Sequence, residues 1–455
     1  MNSQEAYDIA EKAVKLLVED RGIDTVFPFD AIWQYAPEDV VPSTLRSGQA
    51  NRLRKAGLIE MTNETAKAET SSRASSVGYG YRGGPALRPQ PAPSGSPYAG
   101  LLEDLKRAME TRGFIVSLEQ LVDLYLALRT SPLIILAGFS GTGKSAIPRL
   151  LAELTEADFT LISVQPHWSD NADLLGYTPN IGSGKFIRGR LTEAVEDAAT
   201  NPSRLSLVLL DEMNLAPVEH YFSDFLSVIA TRRREQEEVI TDPLPLDLPA
   251  PTNPDPYISL RTLQLAHGLR VVGTANMDET TRPFSPKVLD RAFTIEFENI
   301  DLQAFAEPTP GRPNSSLKPL ADRIADPESP ITVMDAWDRH SAHFEWAAAL
   351  LVEVRAILQP AGIEFGYRTR DLICLYLAHW AEDELASVLP RDAAFDLCLL
   401  HKVLPKITGS GESLQDALDE LLAWLKDHHY DRSARKVQRM LGRLAADGAV
   451  SYWAV

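Results

Sequence analysis

The sequence predicts an α/β fold: a parallel sheet flanked by helices, closed by a C-terminal helical lid and preceded by a small winged-helix-like domain. Three observations carry this. Five short apolar runs, Leu133–Ala137, Phe159–Val164, Leu205–Leu210, Leu269–Thr274 and Phe293–Phe297, are separated by helical-period segments, the alternation that builds parallel sheets. The runs are continuous rather than alternating, as strands buried on both faces require. From about residue 334 the apolar residues fall at helical spacing, in Phe344–Leu358, Thr369–Trp380 and Leu414–Leu425, which predicts helices alone.

The chain of 455 residues allows about three domains. With 45 basic and 63 acidic residues its net charge is −18. The average surface therefore repels nucleic acid, and any DNA contact must be a local patch. Two cysteines, Cys374 and Cys398, exclude a disulfide framework and a four-cysteine zinc site; both fall at apolar helix positions and read as core thiols. His428-His429 lacks ligand companions and reads as a helix end. No apolar run approaches the ~18 residues of a membrane span. The opening MNSQEAYD has no basic end followed by an apolar stretch, so a cytoplasmic protein without signal peptide or membrane contact is expected.

Proline marks the joints. Residues 83–99 carry five prolines and little aliphatic bulk, the composition of an extended linker. Six prolines between Asp242 and Pro256, and a third cluster from Pro308 to Pro330, read as surface insertions. The expected organisation is an N-terminal domain at 1–82, a linker at 83–99, a nucleotide-binding core at 100–300, a proline-rich connection at 301–333 and a helical region at 334–455.

The core's chemistry starts at Gly138-Phe139-Ser140-Gly141-Thr142-Gly143-Lys144-Ser145, which fits the phosphate-binding pattern G-x-x-x-x-G-K-[ST]. Glycines let backbone N–H groups curl around phosphate oxygens, and the helix starting at Ala146 points its positive end at them. Lys144 is expected on the β- and γ-phosphates and Ser145 on Mg²⁺. Pro148 must then fall within about the first helical turn. A second run, Leu207 to Leu210, ends in Asp211-Glu212. Asp211 is expected to hold the Mg²⁺ with Ser145, and Glu212 to orient and deprotonate the attacking water. Asn276, after the strand Leu269–Thr274, can hold that water or simply turn the chain. Arg291 precedes the last strand and is expected either to reach a neighbouring subunit's nucleotide or to form a surface pair with Asp290. Trp168 and Tyr177, within Gln165–Arg190, read as a partner grip or as loop packing.

The order of these parts resembles an AAA+ ATPase. More narrowly, GFSGTGKS, LVLLDEMNLA, VVGTANMDET, PFSPKVLDRAF, FGYRTRD and KVLPKITGS resemble the McrB family, motor subunits of modification-dependent restriction systems, over roughly residues 100–455. The resemblance implies Walker roles for Lys144, Ser145, Asp211 and Glu212. It implies a sensor-1 role for Asn276, an arginine finger at Arg291 and a sensor-2 arginine at Arg368, with Arg370 as the alternative. It also implies a ring, a hexamer, and a separate McrC-like nuclease subunit. Two features depart from the family. The segment Asp211-Glu212-Met213-Asn214-Leu215 lacks the arginine of DEINR, and Asn276 is followed by Asp278 and Glu279 rather than by aspartate three residues on. ATP is therefore the expected substrate, with GTP open.

At the front, a helix is expected from Ser3 to Glu19, a second around Phe29, Ile32 and Trp33, and a third from Ser43 to Gly57. A strand beginning at Leu58 and a return at Tyr79–Arg82 complete a winged-helix pattern. From Ser43 to Pro93 there are eight basic residues against three acidic. Arg46, Arg52, Arg54 and Lys55 on the third helix are the candidate DNA contacts. A protein-interaction domain of the same shape is the alternative. At the level of function, the alternatives to a restriction motor are a nucleotide-gated DNA-binding regulator and a MoxR-like chaperone that remodels protein.

Overall fold

The computed structural model describes residues 3–21, 27–36, 49–55, 58–67, 77–83, 96–179, 184–277, 282–297 and 316–454. By internal contacts the chain divides into Met1–Ser94 and Gly95–Val455.

In the first unit, helix α1 (Ser3–Arg21) buries Ala10, Ala13, Val14 and Leu17, a stripe at three- and four-residue spacing. They pack with Phe27, Ala31, Ile32 and Leu53. Strand β1 (Phe27–Pro28) is followed by a 3₁₀ run at Phe29–Gln34, where a helix was expected. Pro28 holds an extended backbone just before that run. Helix α2 (Gln49–Lys55) then precedes β2 (Ile59–Lys67) and β3 (Val77–Gly83), which make an antiparallel sheet in the order β1-β3-β2. Ser43, Arg46, Gly57 and most of the 83–99 stretch lie outside the described residues.

The second unit opens with α3 (Pro97–Glu110), which begins inside the stretch expected to be linker. Ser96 caps it by accepting the Ala99 N–H, and Pro97 supplies a preset first turn. Helix α4 (Leu118–Thr130) starts from a Ser117/Gln120 capping box. Then come β4 (Leu133–Gly138), α5 (Ala146–Thr155), β5 (Asp158–Ser163), α6 (Arg190–Ala199), β6 (Ser206–Asp211), β7 (Leu269–Asn276), a short helix α7 (Pro286–Leu289) and β8 (Phe293–Glu296). The five strands form one parallel sheet in the order β8-β4-β7-β6-β5. Strands β4 and β6 to β8 are almost wholly buried, whereas the edge strand β5 is half exposed. Helix α4 packs on β4, and α5 and α6 pack on β5 and β6.

Two proline-rich segments contribute to the packing. Between Asp242 and Pro256 the chain is irregular, yet Leu244 is buried and Leu246 and Leu248 pack on the core. The 301–333 connection holds helix α8 (Lys318–Ile324), with Pro319 in its first turn and Leu320, Ala321 and Ile324 buried. The C-terminal region comprises α9 (Val333–Leu358), α10 (Tyr367–Glu382), α11 (Arg391–Lys402), α12 (Glu412–Asp427) and α13 (Asp431–Asp447). It is not helix alone: β9 (Thr408–Ser410) pairs antiparallel with β10 (Ala449–Ser451). Cys374 and Cys398 are buried free thiols, and α12 ends just before His428. No helix among the described residues is long and apolar enough to cross a membrane.

Candidate nucleotide site

The loop 138–145 leaves the C-terminal end of β4 and feeds α5. Three of its glycines, Gly138, Gly141 and Gly143, have positive φ. Two also admit no side chain. A Cβ on Gly138 would lie 2.5 Å from the Phe297 carbonyl oxygen, and one on Gly143 would lie 2.5 Å from the Phe114 ring. Lys144 is buried and folds back on its own loop, donating to the carbonyls of Gly138 at 2.9 Å and Phe139 at 2.5 Å. Phe139, by contrast, is half exposed. Ser145 is the N-cap of α5, so Pro148 occupies the third helical position, where its missing N–H has no helical partner to lose.

Adjacent strand ends supply the polar groups. Ser145 Oγ donates to Asp211 Oδ1 at 2.6 Å, and Thr274 Oγ1 donates to the same oxygen at 2.8 Å. Thr274 Oγ1 in turn accepts the Glu212 N–H at 2.8 Å. Glu212 is exposed and sits in the left-handed region at φ 55°, a conformation that costs a non-glycine residue energy and is typical of functional turns. The turn that follows is anchored by Asn214, whose Nδ2 donates to the Asn276 carbonyl at 3.1 Å while its Oδ1 is buried without a partner. Asn276 closes β7 directly beside Gly138 in the parallel ladder. The backbone next to this turn is tight, since a Cβ on Gly273 would lie 2.4 Å from the sulfur of Met213.

The site thus brings together Gly138 to Ala146, Asp211, Glu212 and Asn276. Thr274, Asn214 and Phe114 join them, none of which the sequence reading singled out. A threonine in an apolar run looks like a strand former, and Phe114 has no motif. Only the DEMN spelling hinted at Asn214.

Arg291 and Arg368 lie elsewhere. Phe293 pairs with Ile134, and Ser131 Oγ donates to the Arg291 carbonyl at 3.1 Å. Arg291 therefore sits at the N-terminal end of β4, a full strand length from Gly138, roughly 15–20 Å at ~3.3 Å per residue. Asp290 pairs with Lys406 and not with Arg291. The Arg291 guanidinium is half-buried. Its Nη1 donates to the Lys287 carbonyl at 2.8 Å, and its Nε is buried without a partner. Burial first, and then the charge of Arg368, lower its pKa. Arg368 is exposed beside it, whereas Arg370 pairs with Asp371 and stacks on Tyr367.

Trp168 is buried edge-on to Tyr221, so it packs. Tyr177 is 45% exposed on a two-residue hairpin, opposite Ile187 at 49%. In the first unit Arg54 is exposed and Arg52 lies over the Tyr7 ring, 4.4 Å from its centroid. Arg46, the side chain of Lys55, and Asp278-Glu279 lie outside the described residues.

Residues 133–293 match the family described as AAA domain (dynein-related subfamily), and residues 328–449 match a domain of unknown function, DUF8727. The crystal structure of an ATPase candidate from Cytophaga hutchinsonii is similar at 16% identity and a TM-score of 0.42, covering 68% of this chain and 88% of that one. No curated protein matches. The parallel sheet, its phosphate loop and the family match define an AAA+ ATPase domain with a helical region behind it.

Proposed function

We propose that the chain is a ring-forming, Mg²⁺-dependent nucleotide hydrolase of McrB type, acting on ATP with GTP open. In this reading the ring drives a DNA-restriction complex whose nuclease is a separate McrC-like subunit, and the first unit selects the DNA. The observation that carries the hydrolase reading is the chain of bonds from Ser145 through Asp211 and Thr274 to the backbone of Glu212.

Ser145 and Asp211 present a hydroxyl and a carboxylate oxygen in direct contact at the mouth of the phosphate loop. That donor set fits a hard cation that takes its remaining ligands from phosphates and water. Mg²⁺, when bound, neutralises charge on the phosphates. Lys144 exchanges its two loop carbonyls for phosphate oxygens, and the loop's N–H groups cradle them. Glu212 accepts the proton of the attacking water, and Asn276 orients that water. Arg291 lies a strand length from its own loop, so it serves the nucleotide of an adjacent copy, with Arg368 beside it. This geometry supports a ring.

Turnover of ATP and GTP by wild type, Lys144→Ala and Glu212→Gln tests the hydrolase reading. Lys144→Ala should lose nucleotide binding. Glu212→Gln should keep binding and lose turnover by about 10²–10⁴-fold, the usual worth of a general base. Equal turnover in all three ends the reading. The exposed Tyr177–Ile187 hairpin favours a second reading, a MoxR-like remodeller that grips protein rather than DNA; it shares the hydrolytic site.

A further inference from the structure

An ammonium group has three donors and is costly to bury unless each is met. Lys402, the last residue of α11, is 1% exposed. Its Nζ donates to the carbonyls of Leu289 at 2.8 Å, Asp290 at 3.2 Å and Ala292. Burial, and then the charge of Lys406, pull its pKa well below the ordinary lysine value, while the three carbonyls match the three donors of an ammonium, one more than a neutral amine has. Those carbonyls flank Arg291 on both sides, and the Arg291 carbonyl itself is taken by Ser131. Helix α7 ends at Leu289, so the Leu289 carbonyl is one that a helix terminus leaves without an intrahelical partner, and the next three belong to the turn into β8. Here a lysine and a serine from distant parts of the chain satisfy all four.

A second lysine acts on the side chains. Lys406 Nζ bonds the Asp290 carboxylate and also donates to Thr369 Oγ1 at 3.0 Å. Asp290 is thereby held in an ion pair with Lys406 rather than with the neighbouring Arg291, on which it acts only through its charge. Thr369 follows Arg368 on α10, so the same ammonium ties the turn carrying Arg291 to the helix carrying Arg368.

We infer that Lys402 and Lys406 are positioning residues for the arginine finger: Lys402 fixes the backbone on both sides of Arg291, and Lys406 engages Asp290 so that it forms no ion pair with the guanidinium, which can then turn from the Lys287 carbonyl to an adjacent copy's nucleotide. The inference rests on the proposed role of Arg291 in a ring. An arginine finger is worth about 10³–10⁵ in rate, and misplacing a catalytic group by ~1 Å costs on the order of 100-fold. Lys402→Met should therefore lower kcat by roughly 100-fold with KM little changed, because its bonds go to the finger's turn and not to the phosphate loop.

Mixed full-length subunits distinguish positioning from general damage. Lys144→Ala subunits have a dead pocket and a sound finger; Arg291→Ala subunits have the reverse. Mixing these two should restore ATP turnover. Lys402→Met should then be rescued by Lys144→Ala and not by Arg291→Ala. Lys406→Gln, which leaves the buried ammonium in place, should give the same pattern with a milder loss and stands in if Lys402→Met does not fold. Rescue of both variants by neither partner or by both, or wild-type turnover in both, overturns the inference while leaving the ring intact. Failure of Lys144→Ala and Arg291→Ala to rescue each other removes the ring, and this inference with it.

Discussion

At the scale of single residues, Asp211 depends on a neighbour that no motif announces. Its Oδ1 accepts from Ser145 and Thr274, and Thr274 also holds the N–H of Glu212. One hydroxyl therefore ties together the acid proposed for the cation and the acid proposed for the water. Thr274→Val keeps the shape and removes both bonds. A hydrogen bond to a charged group is worth about 1.5–3 kcal/mol, or roughly 10–100-fold. Turnover measured against Mg²⁺ concentration should fall by that factor and need more Mg²⁺ to saturate; an unchanged Mg²⁺ curve would show that Thr274 only packs. Lys144, Ser145, Asp211, Glu212 and Asn276 were legible because phosphate chemistry imposes a spelling on the backbone. Thr274 was not, because β-strands use threonine for reasons unrelated to hydrogen bonding. Lys402 and Lys406 were visible only as part of a family resemblance, since nothing in a sequence says that a lysine will be buried against three carbonyls more than a hundred positions away.

At the scale of elements, the five strands were legible to within a residue or two, four of them because burial on both faces writes a continuous apolar run, and the half-exposed edge strand β5 from its apolar, β-branched content. The proline-rich segments misled, since proline is permitted in a first helical turn, as Pro97 and Pro319 show. Polar knots between helices were also hidden. Arg129 on α4 and Asp383 just past α10 are fully buried against each other, and Asp383 also accepts from Tyr125 OH at 2.8 Å and Arg323 Nε at 3.0 Å. Breaking a buried pair costs up to about 3–5 kcal/mol, and without Arg129 the Asp383 carboxylate keeps only Tyr125 and Arg323. The Arg112–Glu153 pair, with side chains 39% and 60% exposed, is worth at most about 1 kcal/mol. Thermal melts should therefore show Arg129→Met clearly destabilised and Arg112→Met nearly unchanged. Equal melting temperatures would mean that the knot, despite its burial, does not secure the helices to each other.

At the scale of the whole molecule, the two units differ in electrostatics as well as in structure. The chain carries −18 overall, yet residues 43–93 hold eight basic side chains against three acidic. A patch of that kind in a repelling background should bind duplex DNA weakly and with strong salt dependence, each phosphate contact contributing about 0.9 to the log–log slope. The phosphate loop, Asp211, Glu212 and the proposed arginines all lie within the second unit. Arg52→Ala/Arg54→Ala in the full chain should therefore keep nucleotide turnover, weaken DNA binding at every sequence tested and reduce the salt slope by about 2. Fluorescence anisotropy across a salt series measures both. If wild type shows no salt-dependent binding, the first unit does not read DNA, and the exposed Tyr177–Ile187 hairpin becomes the better guide to the partner. If the double variant binds DNA as wild type does, the contact lies on a surface other than α2, and the winged-helix reading of that helix falls while the hydrolytic site stands.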